Sequence, residues 1–367
     1  MRLSIAEVRR HRGRLLATAS NARERWIERQ GLIVTLRDES GCRGTGEASP
    51  LPGYSPDTIG GCADALANLD VSALRIDPDA PLAPQLARCS DALPSHYPAA
   101  RFALECAVAD LVGLRTAQPV WALLHPDSAE NALRSPGHRL TALIDATTPA
   151  EAARTLAAAQ TRGVTSFKLK IGRPQAFDRE REITEALRVA LGPTGVLRLD
   201  ANRSFPPTEA LRYLHELAGF RPEFVEEPTT DLNRVAESPV PIALDESLQT
   251  PGAEPRLQKW LETAPISTLV LKPMLLGGFS ACLRWGEVAR RLGLRVVISH
   301  LLGGPIALGA CCQLALGLNS PSIPTGLDHH AGLHAWPATS ISAMSSADLR
   351  WSADPGLGVR WRPGRVP

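Results

Sequence analysis

Residues 164–172 read VTSFKLKIG. The segment has the apolar character of a buried strand, yet it carries two lysines, Lys168 and Lys170. Because side chains alternate between the two faces of a strand, both ammonium groups lie on the same face. Two buried like charges are unfavourable unless another group compensates them or uses them. The segment therefore predicts a strand that carries a chemical site.

Lysine is scarce in this chain. Its 367 residues include 40 Lys and Arg residues, and only four of these are lysines: Lys168, Lys170, Lys259 and Lys272. An arginine stays protonated inside a protein, whereas the pKa of a lysine is readily lowered towards neutrality. We therefore consider the few lysines as candidates for proton transfer.

A regular alternation of strands and helices begins at about residue 139. Seven short apolar strands lie in the segments RLTALIDA, TSFKLKIG, GVLRLDAN, PEFVEEP, PIALDES, STLVLKPM and LRVVISH, and SIPTGL is a weak eighth. This repetition predicts a parallel sheet with right-handed crossovers. Because the seven or eight units occupy roughly 185 residues, we predict an α/β fold with a (β/α)7β barrel of the TIM type rather than an open sheet.

The remainder of the chain lacks this alternation. The segment GLIVTLRDESGCRGTGEA predicts two strands around a turn at residues 38–41, while residues 57–69 and 98–115 predict helices and residues 77–84 a loop. The chain after residue 328 is rich in Trp, Pro and Arg. We predict an α+β capping domain in residues 1–100, the barrel in residues 101–327, and a C-terminal tail in residues 328–367 that returns to the capping domain.

The composition excludes several classes of protein. A net charge of +2 provides no basic surface for nucleic acid. No apolar run reaches about 18 residues and the N-terminus has no signal-like run, so we expect no membrane partner. The seven cysteines form no CxxC pair, which favours buried thiols in a reducing compartment. We expect a cytoplasmic protein, and the sequence is compatible with a homo-oligomer.

Polar residues end each predicted barrel strand, and the carboxyl ends of barrel strands meet at one mouth. Asp200, Glu226 and Asp245 would then lie close together and would repel one another unless a cation lies between them. A ligand set made only of oxygen favours Mg²⁺, with Mn²⁺ as the alternative. The strand-ending residues are Lys168, Lys170, Asp200, Asn202, Glu226, Glu227, Asp245, Glu246, Lys272, Ser299 and His300.

The predicted metal would lie between lysines, with Lys168 and Lys170 on one flank and Lys272 on the other. This arrangement suits the removal of a proton α to a carboxylate, in which the metal neutralises the resulting charge and a lysine takes the proton. Lys168 would help to lower the pKa of Lys170, as a neutral base requires. The sequence therefore predicts an enzyme that acts on a small-molecule carboxylate.

Each feature taken alone has a simpler interpretation. A strand-ending residue such as Asp245 is more often a helix N-cap than a ligand, and the KLK sequence is also typical of a partly exposed edge strand. The joint occurrence at successive strand ends favours the site. Gly303 and Gly304 either present backbone amides to a substrate anion or form a plain turn. The Asp-His-His sequence at residues 328–330 could bind a metal, but we interpret it as a solvated turn.

At the strand ends the chain resembles the enolase superfamily, in its muconate-lactonizing-enzyme subgroup. The resemblance rests on the KxK of the second barrel strand, on an Asp, a Glu and an Asp at the next three strands, and on the Lys of LKPMLLGG. It implies a Mg²⁺ site on the carboxylates and proton chemistry by the lysines. The matching residues are Lys168, Lys170, Asp200, Glu226, Asp245 and Lys272.

Within this subgroup, GEASPLPGYSPDT at residues 46–58 and GLD at residues 326–328 resemble the o-succinylbenzoate synthase family, in which the first segment is a loop that covers the site. The resemblance implies a syn dehydration in which Lys170 removes the α-proton and then returns a proton to the departing hydroxide, while Lys272 stays cationic. It also implies substrate contacts from this loop and from the strand ends, namely Leu51, Tyr54, Asn202, Ser299, His300 and Gly303.

Two other classes of function remain open. In a racemase of N-acyl amino acids, a dipeptide epimerase or a cycloisomerase, Lys170 and Lys272 would exchange protons on opposite faces of the substrate without loss of water. Dipeptide epimerases of the subgroup carry an Asp-x-Asp motif after the eighth strand, and it is missing here because two histidines follow Asp328. A degenerate barrel that only binds a metal and an anion is disfavoured by the intact set of lysines.

Overall fold

The computed structural model describes residues 1–20, 24–126, 137–320, 322–336 and 339–360. Its N-terminal part forms an antiparallel sheet in the order β1-β2-β3. The second and third strands agree with the pair predicted around residues 38–41. The long first strand escapes prediction because its many arginines and mostly exposed side chains obscure any apolar alternation. The strands are β1 Leu3–Ser20, β2 Arg25–Asp38 and β3 Arg43–Ala48.

The helices that follow pack against this sheet. Helix α1 begins after Thr58, whose hydroxyl oxygen accepts a hydrogen bond from the amide of Gly61 at 3.1 Å. Helix α3 approaches β3 closely because Gly44 and Gly46 lack side chains, and a Cβ at either position would overlap the α3 backbone. Helix α2 begins inside the predicted loop at residues 77–84. The bounds are α1 Ile59–Ala67, α2 Leu82–Asp91, α3 Pro98–Thr116 and α4 Val120–Leu124.

The second part of the chain contains a parallel sheet of seven strands, neighbours in the sheet being neighbours in sequence, as the βα repetition predicts. The strands are β5 Thr141–Ile144, β6 Ser166–Lys170, β7 Val196–Asp200, β8 Val225–Glu226, β9 Ile242–Leu244, β10 Ile266–Leu271 and β11 Arg295–Ile298. The helices are α5 Pro149–Gln160, α6 Phe177–Leu191, α7 Ala210–Ala218, α8 Ala253–Thr263, α9 Pro273–Leu276, α10 Phe279–Leu292 and α11 Pro305–Leu318. Short 3₁₀ helices lie at Val71–Ala73, Leu232–Val235, Glu246–Gln249 and Ala331–Ala335.

The weak eighth segment joins the two edges of this sheet. Thr325 forms a parallel bridge with Leu140, next to the first barrel strand, and Gly326 forms one with Ser299, after the seventh. The amide of Thr325 donates to the carbonyl oxygen of Arg139 at 2.8 Å. The predicted α/β class, a (β/α)7β barrel with an α+β cap, is therefore confirmed; the capping strands are antiparallel and the eighth barrel strand is reduced to single bridges.

The C-terminal residues contact both parts of the molecule. The Trp336 ring stacks on His11 of β1 with centroids 4.3 Å apart. Strand β13 pairs with β4, while β12 pairs with β14. These contacts suit the predicted return of the tail, and the domain bounds stay a prediction. The strands are β4 His138–Arg139, β12 Ser340–Ile341, β13 Asp348–Leu349 and β14 Val359–Arg360.

Two further observations concern the expectations from composition. All seven cysteines are free thiols, and all but the half-buried Cys42 are buried. In the described ranges, no helix has both the length and the apolar character that crossing a bilayer requires.

Candidate active site

The mouth of the barrel brings the strand-ending carboxylates together. In the sheet register Lys170 pairs with Asp200, and Asp200 pairs with Glu226. Asp245 directly follows β9, the next strand. The three carboxylates are at most 2% exposed. Because their strands are adjacent in the sheet, residues far apart in sequence form one buried acidic cluster.

Lys168 lies between two members of this cluster. Its Nζ donates to Asp200 Oδ2 at 2.9 Å and to Glu226 Oε2 at 3.2 Å. Burial lowers the pKa of Lys168, but the two carboxylates outweigh this effect and hold it above its ordinary value. Burial followed by the charge of Asp200 raises the pKa of Glu226 to about 7. Lys168 is therefore a fixed cation within the cluster.

Lys272, directly after β10, forms the equivalent pair with Asp245. Burial opposes its charge, but Asp245 and Glu246 together raise its pKa above the ordinary value. Its Nζ also donates to the hydroxyl oxygen of Tyr54 at 3.0 Å, and Tyr54 in turn donates to Glu246 Oε1 at 2.9 Å. Burial, then Asp245 and Glu246, keeps the pKa of Tyr54 well above 10, so its hydroxyl stays a donor.

Lys170 has different surroundings. Its ammonium group donates to the backbone carbonyl oxygen of Ser20, the last residue of β1. Burial lowers the pKa of Lys170 to about 8, against the opposing charges of Asp200 and Asp145. The charge of Lys168 contributes to this lowering, as expected, but its effect is smaller than that of burial. Of the three lysines in the mouth, Lys170 is the one whose environment favours a neutral amine.

The chemistry of the cluster suits a hard divalent cation. It offers only oxygen ligands, and two further buried oxygens, Asn202 Oδ1 and Glu246 Oε2, have no hydrogen-bond partner among the described residues. In their present positions, no three Asp, Glu, His or Cys side chains of the described ranges form a metal-binding group. Lys168 and Lys272 form ion pairs with the carboxylates instead. Binding of a metal would therefore require a rearrangement of these lysine–carboxylate pairs. The three metal ligands stay a prediction.

A cavity of about 660 Å³ opens above the cluster. The three lysines line it. Five of the six predicted substrate contacts line it as well, namely Leu51, Tyr54, Asn202, Ser299 and His300. Gly303 lies behind this wall, next to a small void. The neighbouring amides of Gly304 and Ala307 donate to the buried carboxylate of Glu47, so they are engaged within the protein. The described lining of the cavity therefore gives Gly303 no substrate contact.

The interpretation of residues 328–330 as a solvated turn is wrong for two of the three residues. Asp328 is buried and forms a bidentate pair with Arg162, at 2.8 and 2.7 Å. The His330 ring lines the cavity and stacks on His300 with centroids 4.2 Å apart. Burial, reinforced by Lys168 and Lys272, lowers the pKa of His300 to about 3, so its imidazole is neutral. Only His329 is exposed, as a turn residue would be.

Sequence reasoning missed Ser20 and Arg162, which line the cavity but carry no local signal. It named Glu227 and Glu246 as strand-ending carboxylates without giving them a role. The backbone enters the left-handed region within four residues of three strand ends, at Asn202, Glu227 and Leu302, with φ values of 43°, 41° and 51°. Such strain in non-glycine residues is concentrated at functional sites.

Comparison with known proteins points to one family. Residues 150–365 match the family model described as Enolase C-terminal domain-like. The o-succinylbenzoate synthase of Enterobacter sp. (strain 638) is 32% identical over 307 residues, which cover 82% of this chain and 83% of that protein. The o-succinylbenzoate synthase of Desulfotalea psychrophila is 33% identical over 239 residues, and the match spans 63% of this chain and 62% of that relative.

Solved structures share the fold at lower identity. The muconate lactonizing enzyme of Pseudomonas fluorescens, complexed with muconolactone, is 22% identical with a TM-score of 0.81, covering 99% of this chain and 98% of that one. The dipeptide epimerase of Methylococcus capsulatus, complexed with Mg and the dipeptide L-Arg-D-Lys, is 24% identical with a TM-score of 0.82. The match covers 98% of this chain and 100% of that one. At these identities the likeness establishes the fold alone.

Proposed function

Because this chain belongs to the enolase C-terminal domain-like family, we propose that it is an o-succinylbenzoate synthase. It would dehydrate 2-succinyl-6-hydroxy-2,4-cyclohexadiene-1-carboxylate to 2-succinylbenzoate, a step of menaquinone biosynthesis. Relatives of that name, 32% and 33% identical, support this choice. The observation that carries it is the unequal pairing of the two lysines on opposite sides of the mouth.

Lys272 forms an ion pair with Asp245, whereas no ion pair among the described residues includes Lys170. Strands β7, β8 and β9 separate the two lysines in the sheet. A syn dehydration needs one base and one fixed cation. A racemase instead needs two lysines that exchange acid and base roles. The unequal surroundings therefore favour the dehydration.

The neutral amine of Lys170 would accept the proton from C1 of the substrate, and the electron pair of the broken C–H bond enters the conjugated system. That electron pair then forms the C1–C6 double bond as the C6–O bond breaks, and the hydroxide leaves as water with the proton that Lys170 has just received. The six-membered ring becomes aromatic, and Lys170 returns to its neutral form. Lys272 would stabilise the negative charge that develops at the substrate carboxylate.

Asp200, Glu226 and Asp245 would hold Mg²⁺, with Mn²⁺ as the alternative, and the ion would neutralise charge on the substrate carboxylate. The Mg-complexed structure of a relative with the same fold supports this cofactor. Leu51, Tyr54, Asn202, Ser299 and His300 would form the walls that position the substrate. A cavity of about 660 Å³ is within the usual range for small-molecule sites.

A second candidate function is the epimerisation or racemisation of an N-acyl amino acid or a dipeptide. The observation that favours it is the presence of two lysines on opposite sides of the mouth, the half-buried Lys170 and the buried Lys272, since a reaction without loss of water uses both. Cycloisomerisation has the same requirement for a proton-transferring lysine beside the carboxylate site.

One experiment separates these functions. The purified protein with Mg²⁺ is given the cyclohexadiene substrate, and separately N-succinyl amino acids in deuterium oxide. We expect rapid loss of water from the cyclohexadiene and little deuterium at the α-carbon of the amino acids. Fast α-exchange without dehydration would contradict the proposal and support the racemase.

A further inference from the structure

Two buried charged residues of the capping sheet lie where it meets the barrel. Arg29 on β2 is 1% exposed and Glu47 on β3 is 0% exposed. Neither residue is part of the described cavity lining. Because a buried charge is costly unless several hydrogen bonds satisfy it, the partners of these two groups indicate what they do.

The guanidinium of Arg29 joins two separate chain segments. Its Nε donates to the carbonyl oxygen of Leu302 at 2.8 Å, and Nη2 reaches the carbonyl oxygen of Leu301 at 3.4 Å. Its Nη1 donates to the carbonyl oxygen of Pro50 at 3.2 Å, and Nη2 also donates to the carbonyl oxygen of Ser49. A planar guanidinium satisfies four acceptors in this way, whereas a lysine ammonium presents a single point of charge.

Glu47 joins the same two regions through its carboxylate. Oε1 accepts hydrogen bonds from the amide of Gly304 and from the hydroxyl of Ser49, and Oε2 accepts from the amide of Ala307 at 3.0 Å. The approach is close, since a Cβ at position 304 would lie 2.7 Å from Oε2. Glu47 therefore fixes the first turn of α11, which follows the loop that Arg29 holds.

The joined segments carry two walls of the cavity. Leu51 and Tyr54 directly follow residues 49–50, and Ser299 and His300 directly precede residues 301–302. We propose that Arg29 and Glu47 are positioning residues, which set the separation of these two walls and thereby determine how the substrate fits. The substrate part of this inference rests on the function proposed above.

The loop at residues 46–58 is also attached near its C-terminal end, to the start of α3. Asp57 accepts a hydrogen bond from the amide of Ala99, at the start of α3, at 2.7 Å. The hydrogen bonds of Arg29 and Glu47 connect the loop to the barrel side of the cavity, at Leu302 and Gly304, which the Asp57 contact does not do. A role limited to packing would be served as well by apolar side chains, which avoid the cost of burying charge.

The test compares Glu47→Gln and Arg29→Lys with Asp110→Asn as a control. Asp110 is also a buried carboxylate, on helix α3 that packs against the capping sheet, and it accepts hydrogen bonds from the backbone amides of Thr45 at 2.8 Å and Leu357 at 2.9 Å. It is not among the described residues of the cavity lining. The measurements are kcat and KM for dehydration, the thermal midpoint, and amide hydrogen exchange of residues 46–58 and 299–304.

Because Arg29 and Glu47 contact the walls that bind the substrate and not the lysines or carboxylates of the mouth, we expect KM to rise about 10-fold in both variants with kcat changed by less than about 3-fold. Hydrogen exchange should accelerate in both segments together. The control should lose a similar amount of thermal stability without a change in KM. Equal KM values for the variants and the control would overturn the inference.

If the wild-type protein does not dehydrate the substrate, the proposed function fails but the positioning role is still tested by hydrogen exchange. Hydrogen exchange that accelerates in only one of the two segments, 46–58 or 299–304, would then overturn it. If Arg29→Lys does not fold, Glu47→Gln alone decides, because glutamine keeps the size of the side chain.

Discussion

At the scale of single residues, the three lysines of the mouth are distinguished by their partners. Lys168 and Lys272 each contact a buried carboxylate, and both have a raised pKa. The ammonium group of Lys170 donates a hydrogen bond only to a backbone carbonyl oxygen in the described structure, and burial lowers its pKa to about 8. One residue type therefore supplies two fixed cations and one candidate base, and Lys259 remains exposed on α8.

This difference predicts unequal effects of arginine substitutions. Lys170→Arg should lower dehydration by about 100- to 10,000-fold, because an arginine cannot act as a neutral base. Lys272→Arg keeps the positive charge and should retain measurable turnover, although the larger guanidinium will disturb the substrate. The measurement is kcat and KM for water loss from the cyclohexadiene substrate.

Lys259→Arg is the matched control, since Lys259 is exposed and remote from the cavity lining. It should change neither kinetics nor the thermal midpoint. An equal and complete loss of activity in Lys170→Arg and Lys272→Arg would contradict the one-base mechanism, because that result is the one expected of a racemase.

At the scale of elements, the loop at residues 46–58 places two side chains in the cavity with different structural roles. Tyr54 is half-buried, and its hydroxyl connects Lys272 to Glu246. Leu51 is 3% exposed and belongs to the main hydrophobic core. The loop therefore contributes one side chain, Leu51, to the hydrophobic core and another, Tyr54, to the hydrogen bonds of the candidate site.

The two residues should respond differently to substitution. Tyr54→Phe removes the hydroxyl at almost constant volume, so we expect a KM or kcat change of about 10-fold and a nearly constant thermal midpoint. Leu51→Ala deletes a buried side chain and should cost about 2–5 kcal/mol of unfolding free energy in addition to any kinetic effect. Thermal and urea unfolding together with steady-state kinetics provide the measurements.

Tyr97→Phe is a suitable comparison, because Tyr97 precedes α3 in the same part of the molecule and does not line the cavity among the described residues. If Tyr54→Phe matches this comparison in every kinetic constant, the hydroxyl of Tyr54 has no role in the site.

At the scale of the whole molecule, barrel closure brings together carboxylates that lie 26 and 19 residues apart in sequence, at positions 200, 226 and 245. Each comes from a different strand, so no single element forms the acidic cluster. Lys168 and Lys272 compensate this charge in the described structure, and a divalent cation would do so more completely.

Removal of the metal should therefore abolish activity. We expect EDTA to eliminate dehydration and Mg²⁺ or Mn²⁺ to restore it. Asp245→Asn should keep the fold and weaken metal affinity by about 10-fold or more, because it removes one negative ligand. Isothermal titration with Mg²⁺ measures the affinity independently of turnover. Full activity in metal-free protein would contradict the metal site.

The sequence by itself was sufficient to predict the barrel and the members of its mouth. Strand periodicity is local, and the carboxyl ends of parallel strands meet wherever a barrel closes, so Lys170, Asp200, Glu226, Asp245 and Lys272 could be placed together without coordinates. The scarcity of lysine indicated that the lysine positions are candidates for proton transfer. The family comparison confirms this fold and this superfamily.

Only the tertiary structure determined the contacts made by residues from outside the strand ends. The carbonyl oxygen of Ser20 at Lys170, the His330 ring against His300, and the links made by Arg29 and Glu47 all join segments distant in sequence. No periodicity or motif encodes such pairs, because they depend on how the capping sheet and the C-terminal segment pack on the barrel. The sequence predicted a neutral Lys170 and a cationic Lys272, but the main causes of their different pKa values, burial and partners on other strands, could be recognised only in the folded molecule.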